Sequence, residues 1–171
     1  MLLRRVAPGE HEAVGRLTVA AYEPFLLGPD DDYRLRLADV ARRDREAEVW
    51  VAVDRDDVND GVGAEVGAEV LGNVTVCPPG SRWREIAGDG EGEFRMLAVS
   101  PAAQGRGVGR ALTELVVDRF RSDGARAVVL SSLDQMTGAH RLYERLGFVR
   151  VPDRDWSPHP GVDLIAYSLE L

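Results

Sequence analysis

The sequence predicts a single α/β domain built on a mixed sheet, and three observations lead there. Strand-like and helix-like segments alternate along the chain, with no linker or break in composition between them. Two strand-like runs, Val49–Val53 and Glu65–Val76, flank an Asp-, Asn- and Gly-rich stretch at Asp54–Ala64, which is the pattern of a hairpin. Farther on, a strand at Glu93–Val99, a helix at Gly105–Ser122 and a strand at Ala127–Leu130 have the spacing of a right-handed βαβ unit with two parallel strands.

In order, Leu2–Val6 reads as a short strand. Glu10–Leu26 carries Val14, Leu17, Ala21 and Phe25 near helical spacing and predicts a first helix. Gly28-Pro29 breaks it. Asp30–Arg43 predicts a second helix whose acidic start, Asp30–Asp32, suits the positive end of the helix dipole. The hairpin follows and is stopped by Pro78-Pro79. A short echo, Val-Gly-Ala-Glu twice within Gly61–Val70, is too brief for a structural repeat. Gly80–Gly92 is a polar loop around Trp83 and Ile86. In the helix Gly105–Ser122, Val108, Ala111, Leu112, Leu115, Val116 and Phe120 fall on one face, which therefore packs on the core. The unbroken apolar run Ala-Val-Val-Leu at 127–130 is that of a strand covered on both faces. A helix at Ala139–Leu146 and strands at Phe148–Val151 and Val162–Glu170 complete the chain. All 171 residues belong to this one domain, long enough to bury a substantial core.

Composition excludes several classes. Apolar residues make up 44% and charged residues 29%, and no apolar run reaches the ~18 residues of a membrane span, so no membrane partner is expected. The first ten residues lack the layout of a secretory signal. One cysteine, Cys77, permits no internal disulfide and, with three scattered histidines, no metal cage is expected. These features suit a reducing cytoplasm. The net charge of −8 argues against a nucleic-acid partner and is compatible with a cationic small molecule. All 21 basic residues are arginine, so a Walker-type phosphate loop and Schiff-base catalysis both lack their lysine.

The informative segment is Glu93-Phe-Arg-Met-Leu-Ala-Val-Ser-Pro-Ala-Ala-Gln-Gly-Arg-Gly-Val-Gly109, running into a helix. Glycines at 105, 107 and 109 let main-chain N–H groups approach an anion. The first turn of the following helix adds unpaired N–H groups and partial positive charge. The arrangement predicts a pyrophosphate ligand. A dinucleotide loop, G-x-G-x-x-G/A, fails, because the third position falls on Arg110 or Leu112.

Gln104-Gly-Arg-Gly-Val-Gly109 resembles the (Arg/Gln)-x-x-Gly-x-(Gly/Ala) motif of the GNAT superfamily of N-acetyltransferases. A second block, Ala139-His-Arg-Leu-Tyr-Glu-Arg-Leu-Gly-Phe148, is similar to that family's Ala-x-x-x-Tyr-x-x-x-Gly-Phe. The resemblance is close over Glu93–Phe148 and covers the first ninety residues only in element order. It implies a mostly antiparallel sheet with one splayed parallel pair and helices on both faces. The family often has Asn seven residues before this Tyr; Met136 stands here, so Ser131, Ser132 or Thr137 would supply that polar contact.

The resemblance also implies roles. Acetyl-CoA is the co-substrate and an amine the acceptor, with direct transfer between them. The amides of Gln104, Gly105, Arg106, Gly107, Val108 and Gly109 cradle the pyrophosphate. The main chain of Leu97, Ala98 and Val99 meets the pantetheine arm, and an amide near Leu97 polarises the thioester. Arg106 and Arg110 either reach phosphates or stand as exposed helix arginines. Tyr143 protonates the leaving thiolate; without the family, its place beside Ala139, Leu142 and Leu146 reads as core. Glu93 is the expected base, acting through water, with Glu91, Asp134 and His159 as other candidates. Tyr22, Phe25, Leu26, Tyr33 and Trp83, with Trp156 and His159 in a Pro-rich loop, are expected to line the acceptor site. His11 and His140 read as helix-surface residues. A longer acyl donor, or a silent CoA-binding module, are the competing functions. A homodimer is compatible with the sequence.

Overall fold

The structure, a computed structural model, describes residues 1–54 and 68–171. Its strands are β1 (Leu2–Arg5), β2 (Glu48–Val53), β3 (Val70–Cys77), β4 (Glu91–Val99), β5 (Ala127–Leu133), β6 (Val149–Arg150), β7 (Trp156–His159) and β8 (Val162–Glu170). The helices are α1 (His11–Tyr22), α2 (Tyr33–Ala38), α3 (Val40–Glu46), α4 (Val108–Ser122) and α5 (Thr137–Arg145). Among the described residues the strands form one sheet in the order β1–β2–β3–β4–β5–β8–β6, with β7 also on β8. Only β4 and β5 run parallel; every other pair is antiparallel. This is the mixed sheet the sequence predicts. Most of the hairpin's expected turn, the start of its second strand and most of the short echo lie outside the described residues.

α4 packs across β2–β5. Its buried face is Val108, Leu112, Val116 and Phe120, each one helical step of four from the last. The Phe120 ring lies directly on the backbone of β4: a Cβ on Gly92 would come within 2.3 Å of it, so no larger residue fits there. α1 and α3 contact β2, β3 and β4. At their centre Arg43 is fully buried without a carboxylate. Its guanidinium donates to Thr75 Oγ1 (2.9 Å), the Leu37 carbonyl (2.8 Å) and, at 3.4 Å, Thr18 and Asn73, bolting α1, α2 and β3 together. Burial lowers its pKa to about 10, which still leaves it charged at neutral pH.

Three elements differ from expectation. The single helix at Asp30–Arg43 is two short helices, α2 and α3, divided at Asp39. The carboxylate of Asp39 accepts from the Arg42 N–H at 3.0 Å and starts a new helix there. The first helix gives way to a 3-10 turn at Glu23–Phe25, where Pro24 removes a main-chain donor. The Pro-rich stretch after Arg150 contains β7, which extends the edge of β8 through Trp156 and His159; its prolines are tolerated because that edge is not central.

Candidate active site

β4 and β5 pair only at Glu91–Ala127, Gly92–Val128 and Glu93–Val129. Beyond Glu93, β4 stays with β3 as far as Val99, and beyond Val129, β5 stays with β8 as far as Leu133. The two strands therefore separate, and the side of β4 that faces the gap has no strand opposite it. The cause lies in β4. Between Thr75–Arg95 and Asn73–Ala98, one β3 residue faces two β4 residues, Met96 and Leu97, which is a β-bulge. Met96 has φ 51°, a left-handed conformation costing an L-residue ~1–2 kcal/mol. The bulge bends β4 away from its parallel partner. Sequence reasoning missed it, since Met-Leu-Ala-Val reads as an unbroken strand.

The gap continues to the turn before α4. Gly105 and Gly107 have φ 77° and 80°, and a Cβ at either would meet nothing within 4 Å, so conformation rather than crowding selects glycine. The first helical bond of α4 is donated by Ala111 to the Gly107 carbonyl at 3.0 Å. The N–H groups of Val108, Gly109 and Arg110 therefore point out of the helix end without a carbonyl within it. Two expected cradle amides differ: Gln104 donates to Pro101 at 3.4 Å and Arg106 to Ala103 at 3.3 Å. The Arg106 side chain pairs with Asp54 at 2.7 Å and is not among the lining residues. Arg110 does line the gap and also pairs with Glu114 at 2.8 Å.

Together these make a cleft of about 800 Å³. Leu97, Ala98, Val99, Gln104, Gly105, Gly107, Val108 and Gly109 line one end. Tyr22, Phe25, Phe94, Arg95 and Tyr143 belong to it as well. Ser131, Ser132, Met136 and Thr137 also line it, so hydroxyls are at hand where the family's Asn is missing. Carrying the β4–β5 register forward puts Arg95 level with Ser131 across the gap. Ser131 Oγ accepts from Trp156 Nε1 at 3.2 Å.

Tyr143 is buried against Phe94, Phe148 and Tyr167, with ring centres 5.9–6.0 Å away. Burial, with a small contribution from Tyr167, pushes its hydroxyl pKa well above the usual tyrosine value, so it holds its proton through the neutral range. It is both core and cleft wall.

The Glu93 carboxylate is elsewhere. It is fully buried, is not among the lining residues, and accepts the main-chain N–H groups of Glu85, Ile86 and Ala87 at 2.9–3.0 Å. That set anchors the polar loop and holds the carboxylate away from the cleft lining. The alternative candidates also lie off the cleft lining. Glu91 is bound by Arg154 (2.8 Å), Arg126 (3.1 Å) and the Gly88 N–H (2.8 Å). His159 is exposed at the end of β7, and Asp134 is exposed after β5.

Of the expected acceptor residues, Tyr22 and Phe25 line the cleft, whereas Tyr33, Trp83 and Trp156 do not. Trp83 is core: it is 4% exposed and its Nε1 donates to Glu46 at 3.1 Å. Leu26 and Tyr33 pack with Tyr22 in the same cluster. Trp156 reaches the cleft only through Ser131. His140 also differs from the helix-surface expectation, whereas His11, at the start of α1, is partly exposed. His140 is buried, with Nε2 3.0 Å from the Leu133 carbonyl, and His11 Nε2 lies 3.3 Å from Asp44. Cys77 is buried, and burial pushes its thiol pKa far up, so it is not a nucleophile at neutral pH. Among the described residues no group of histidine, cysteine and carboxylate side chains could hold a metal ion, and no helix is long and apolar enough to cross a membrane.

A splayed parallel pair beside a glycine turn at a helix N-terminus belongs to a fold shared with solved acetyltransferases. A ribosomal-protein-alanine N-acetyltransferase from Brucella melitensis superposes over the whole of both chains with TM-score 0.69 and 18% identity. The yncA protein of Salmonella typhimurium, solved with acetyl-CoA, superposes over 100% of this chain and 94% of its own, with TM-score 0.64 and 24% identity. The sequence profile described as "Acetyltransferase (GNAT) family" matches residues 16–148. The mycothiol acetyltransferase of Cellulomonas flavigena is 35% identical over 161 residues, covering 92% of this chain and 43% of that protein. The one from Salinispora tropica is 35% identical over 159 residues, covering 86% and 48%. The chain thus spans about half the length of these relatives. It belongs to the GNAT family of acetyltransferases.

Proposed function

We propose that the chain transfers an acetyl group from acetyl-CoA to the nitrogen of an amine on a small molecule or a peptide N-terminus, by direct attack with both substrates bound. The observation that supports this most is the divergence of β4 from β5 after Glu93 and Val129, ending at the open N-terminus of α4. The donor fits that space. The N–H groups of Gly107 to Arg110 meet an anion at the positive helix end, and Arg110 adds a charge for the diphosphate. The main chain of Leu97, Ala98 and Val99, without a strand opposite, hydrogen-bonds an extended pantetheine as an added strand would. Its thioester then lies toward the vertex, beside the bulge and Tyr143.

There the amine nitrogen bonds to the acyl carbon while the carbonyl oxygen gains charge. An N–H of the bulge region offsets that charge, a donor of a kind that typically contributes ~10²–10³ in rate. The C–S bond breaks, and the Tyr143 hydroxyl gives its proton to the departing sulfur, then regains one from solvent. A thiol of pKa near 8.5 leaves tolerably without help, so this contribution is modest. Buried Cys77 takes no part. Glu93 serves as the anchor of the loop 85–87.

The test has two readouts on purified protein. Calorimetry should detect acetyl-CoA binding, and free thiol should appear when an amine panel is added. No heat on acetyl-CoA addition defeats the donor assignment; binding without thiol release from any amine would leave a CoA-binding module instead.

A further inference from the structure

We propose that Arg43 is a positioning residue for the transfer: its guanidinium grips both β3 residues at which the β4 bulge begins and ends, Thr75 and Asn73, and so holds the bulge N–H groups where the thioester carbonyl needs a donor. This rests on the acetyl-transfer reading above and adds to it a side chain that does not line the cleft.

The bulge is supported from one side only. Past Glu93, β4 has no partner in β5, so the strand beside it through the bulge is β3. Met96 stands there at φ 51°, a conformation that persists only where the surroundings over-determine it. Asn73 and Thr75 flank Val74, so their side chains share one face of β3. Arg43 of α3 lies on that face. Its Nη1 donates to Thr75 Oγ1 at 2.9 Å and to Asn73 Oδ1 at 3.4 Å. Its Nη2 donates to the Leu37 carbonyl at 2.8 Å and to Thr18 Oγ1 at 3.4 Å. Asn73 Nδ2 also donates to Thr18 Oγ1, at 2.9 Å. Leu37 in turn packs in one cluster with Met96. One side chain thus ties both ends of the register change to α1 and α2. From β4, Arg95 faces Thr75 and is itself held by Glu85 at 2.7 Å.

Packing alone does not call for a guanidinium here. Arg43 is fully buried, and among the described residues it has no ion pair and its Nε has no hydrogen-bond partner. Asp39, whose carboxylate caps α3, attracts it only from farther off. Replacing a buried ionic side chain by a well-packed apolar one of similar volume is often neutral or stabilising. What an apolar residue or a lysine lacks is a planar fork that reaches two acceptors on a strand and two on helices at once. The fork matches the bulge, because its strand acceptors are the two residues between which the register shifts. Donors to a developing oxyanion act only if already in place, and a displacement of about 1 Å can cost about 10²-fold in rate.

The experiment reads the polarisation of the donor itself and so needs no acceptor. The intact chain is saturated with acetyl-CoA carrying carbon-13 at the thioester carbonyl, and its stretching band is followed by isotope-edited infrared spectroscopy. Calorimetry reports binding and urea unfolding reports stability. In the unaltered protein the band should lie below that of free acetyl-CoA. Arg43→Met should lose most of that displacement while still binding acetyl-CoA, and Arg43→Lys, which keeps the charge without the fork, should lose it equally. Thr75→Val removes the 2.9 Å acceptor alone; it should lose part of the displacement, and it carries the test if the Arg43 variants do not fold. Val14→Ala, a cavity in a different core cluster, should lower the urea midpoint and leave the band in place. Full displacement in any of the first three variants overturns the inference. So does an equal loss in Val14→Ala, which would make the effect one of stability, or a band that binding to the unaltered protein does not move. Failure of the unaltered protein to bind acetyl-CoA instead brings down the transferase reading itself.

Discussion

In the proposed transfer, the Tyr143 hydroxyl is useful only while it keeps its proton until sulfur departs. Burial among three aromatic rings secures that, because it disfavours the phenolate. Tyr143→Phe keeps the packing and removes the donor. Its kcat should fall by about 10²-fold, the lower range for positioned proton transfer, with acetyl-CoA affinity unchanged. Steady-state rates beside calorimetric affinity check this, and an unaltered kcat removes Tyr143 from the reaction. Glu93 illustrates the opposite case. Its carboxylate accepts three main-chain N–H groups, and Glu93→Gln places an amide donor against donors. The urea-unfolding free energy should drop by ~1–3 kcal/mol while acetylation persists. Abolished turnover at full stability would restore Glu93 as the base.

Among elements, the turn into α4 is the one to which the proposed function assigns the diphosphate of acetyl-CoA. Gly107 has φ 80° and opens the helix, and its own conformation aims the N–H groups that follow. A β-branched residue there costs ~1–2 kcal/mol in the left-handed region or pulls the turn out of shape. Gly107→Val should therefore weaken acetyl-CoA binding about tenfold, since ~1.4 kcal/mol is one decade. Circular dichroism should show α4 intact; unchanged affinity would mean the phosphates sit elsewhere. The bulge in β4 is the second deciding element. One extra residue at Met96–Leu97 turns a closed parallel pair into an open one. The motif at 104–109 and the block at 139–148 were legible because glycine spacing and helical periodicity are local signals. The bulge was not, because it exists only as a register between β4 and β3. The same holds for Glu93: a carboxylate at a strand start looks available until the loop 85–87 folds over it.

Across the whole molecule, the stretch that follows α5 is tied to the sheet by carboxylate–arginine pairs. Arg154 beside the nearly buried Glu91 holds its carboxyl below the usual carboxylate range, and Arg150 does the same for Asp155. A depressed folded pKa contributes stability that is fully present above the unfolded value, ~4.3 for Glu and ~3.9 for Asp. That stability is lost as pH falls through the folded value. Urea midpoints should hold from neutrality to about pH 5 and decline below about pH 4. In Arg154→Met the midpoint should be lower at neutral pH and the acidic decline shallower. Equal declines in both proteins would mean the pair contributes nothing. The −8 net charge does not describe the cleft lining, because charge summed over a sequence says nothing about which side chains converge.

By itself the sequence determined the mixed α/β class, the hairpin, the parallel strand pair and the glycine turn before α4. Apolar periodicity and glycine's freedom of φ act within a few residues, so they can be read along the chain. The parting of β4 from β5 is what the family resemblance implied; only the tertiary structure decided that β4 bulges at Met96–Leu97, that Glu93 is spent on a loop, and that among the described residues arginines rather than carboxylates line the cleft. Those are consequences of register and convergence, and residues distant in sequence become neighbours only when the sheet closes around them.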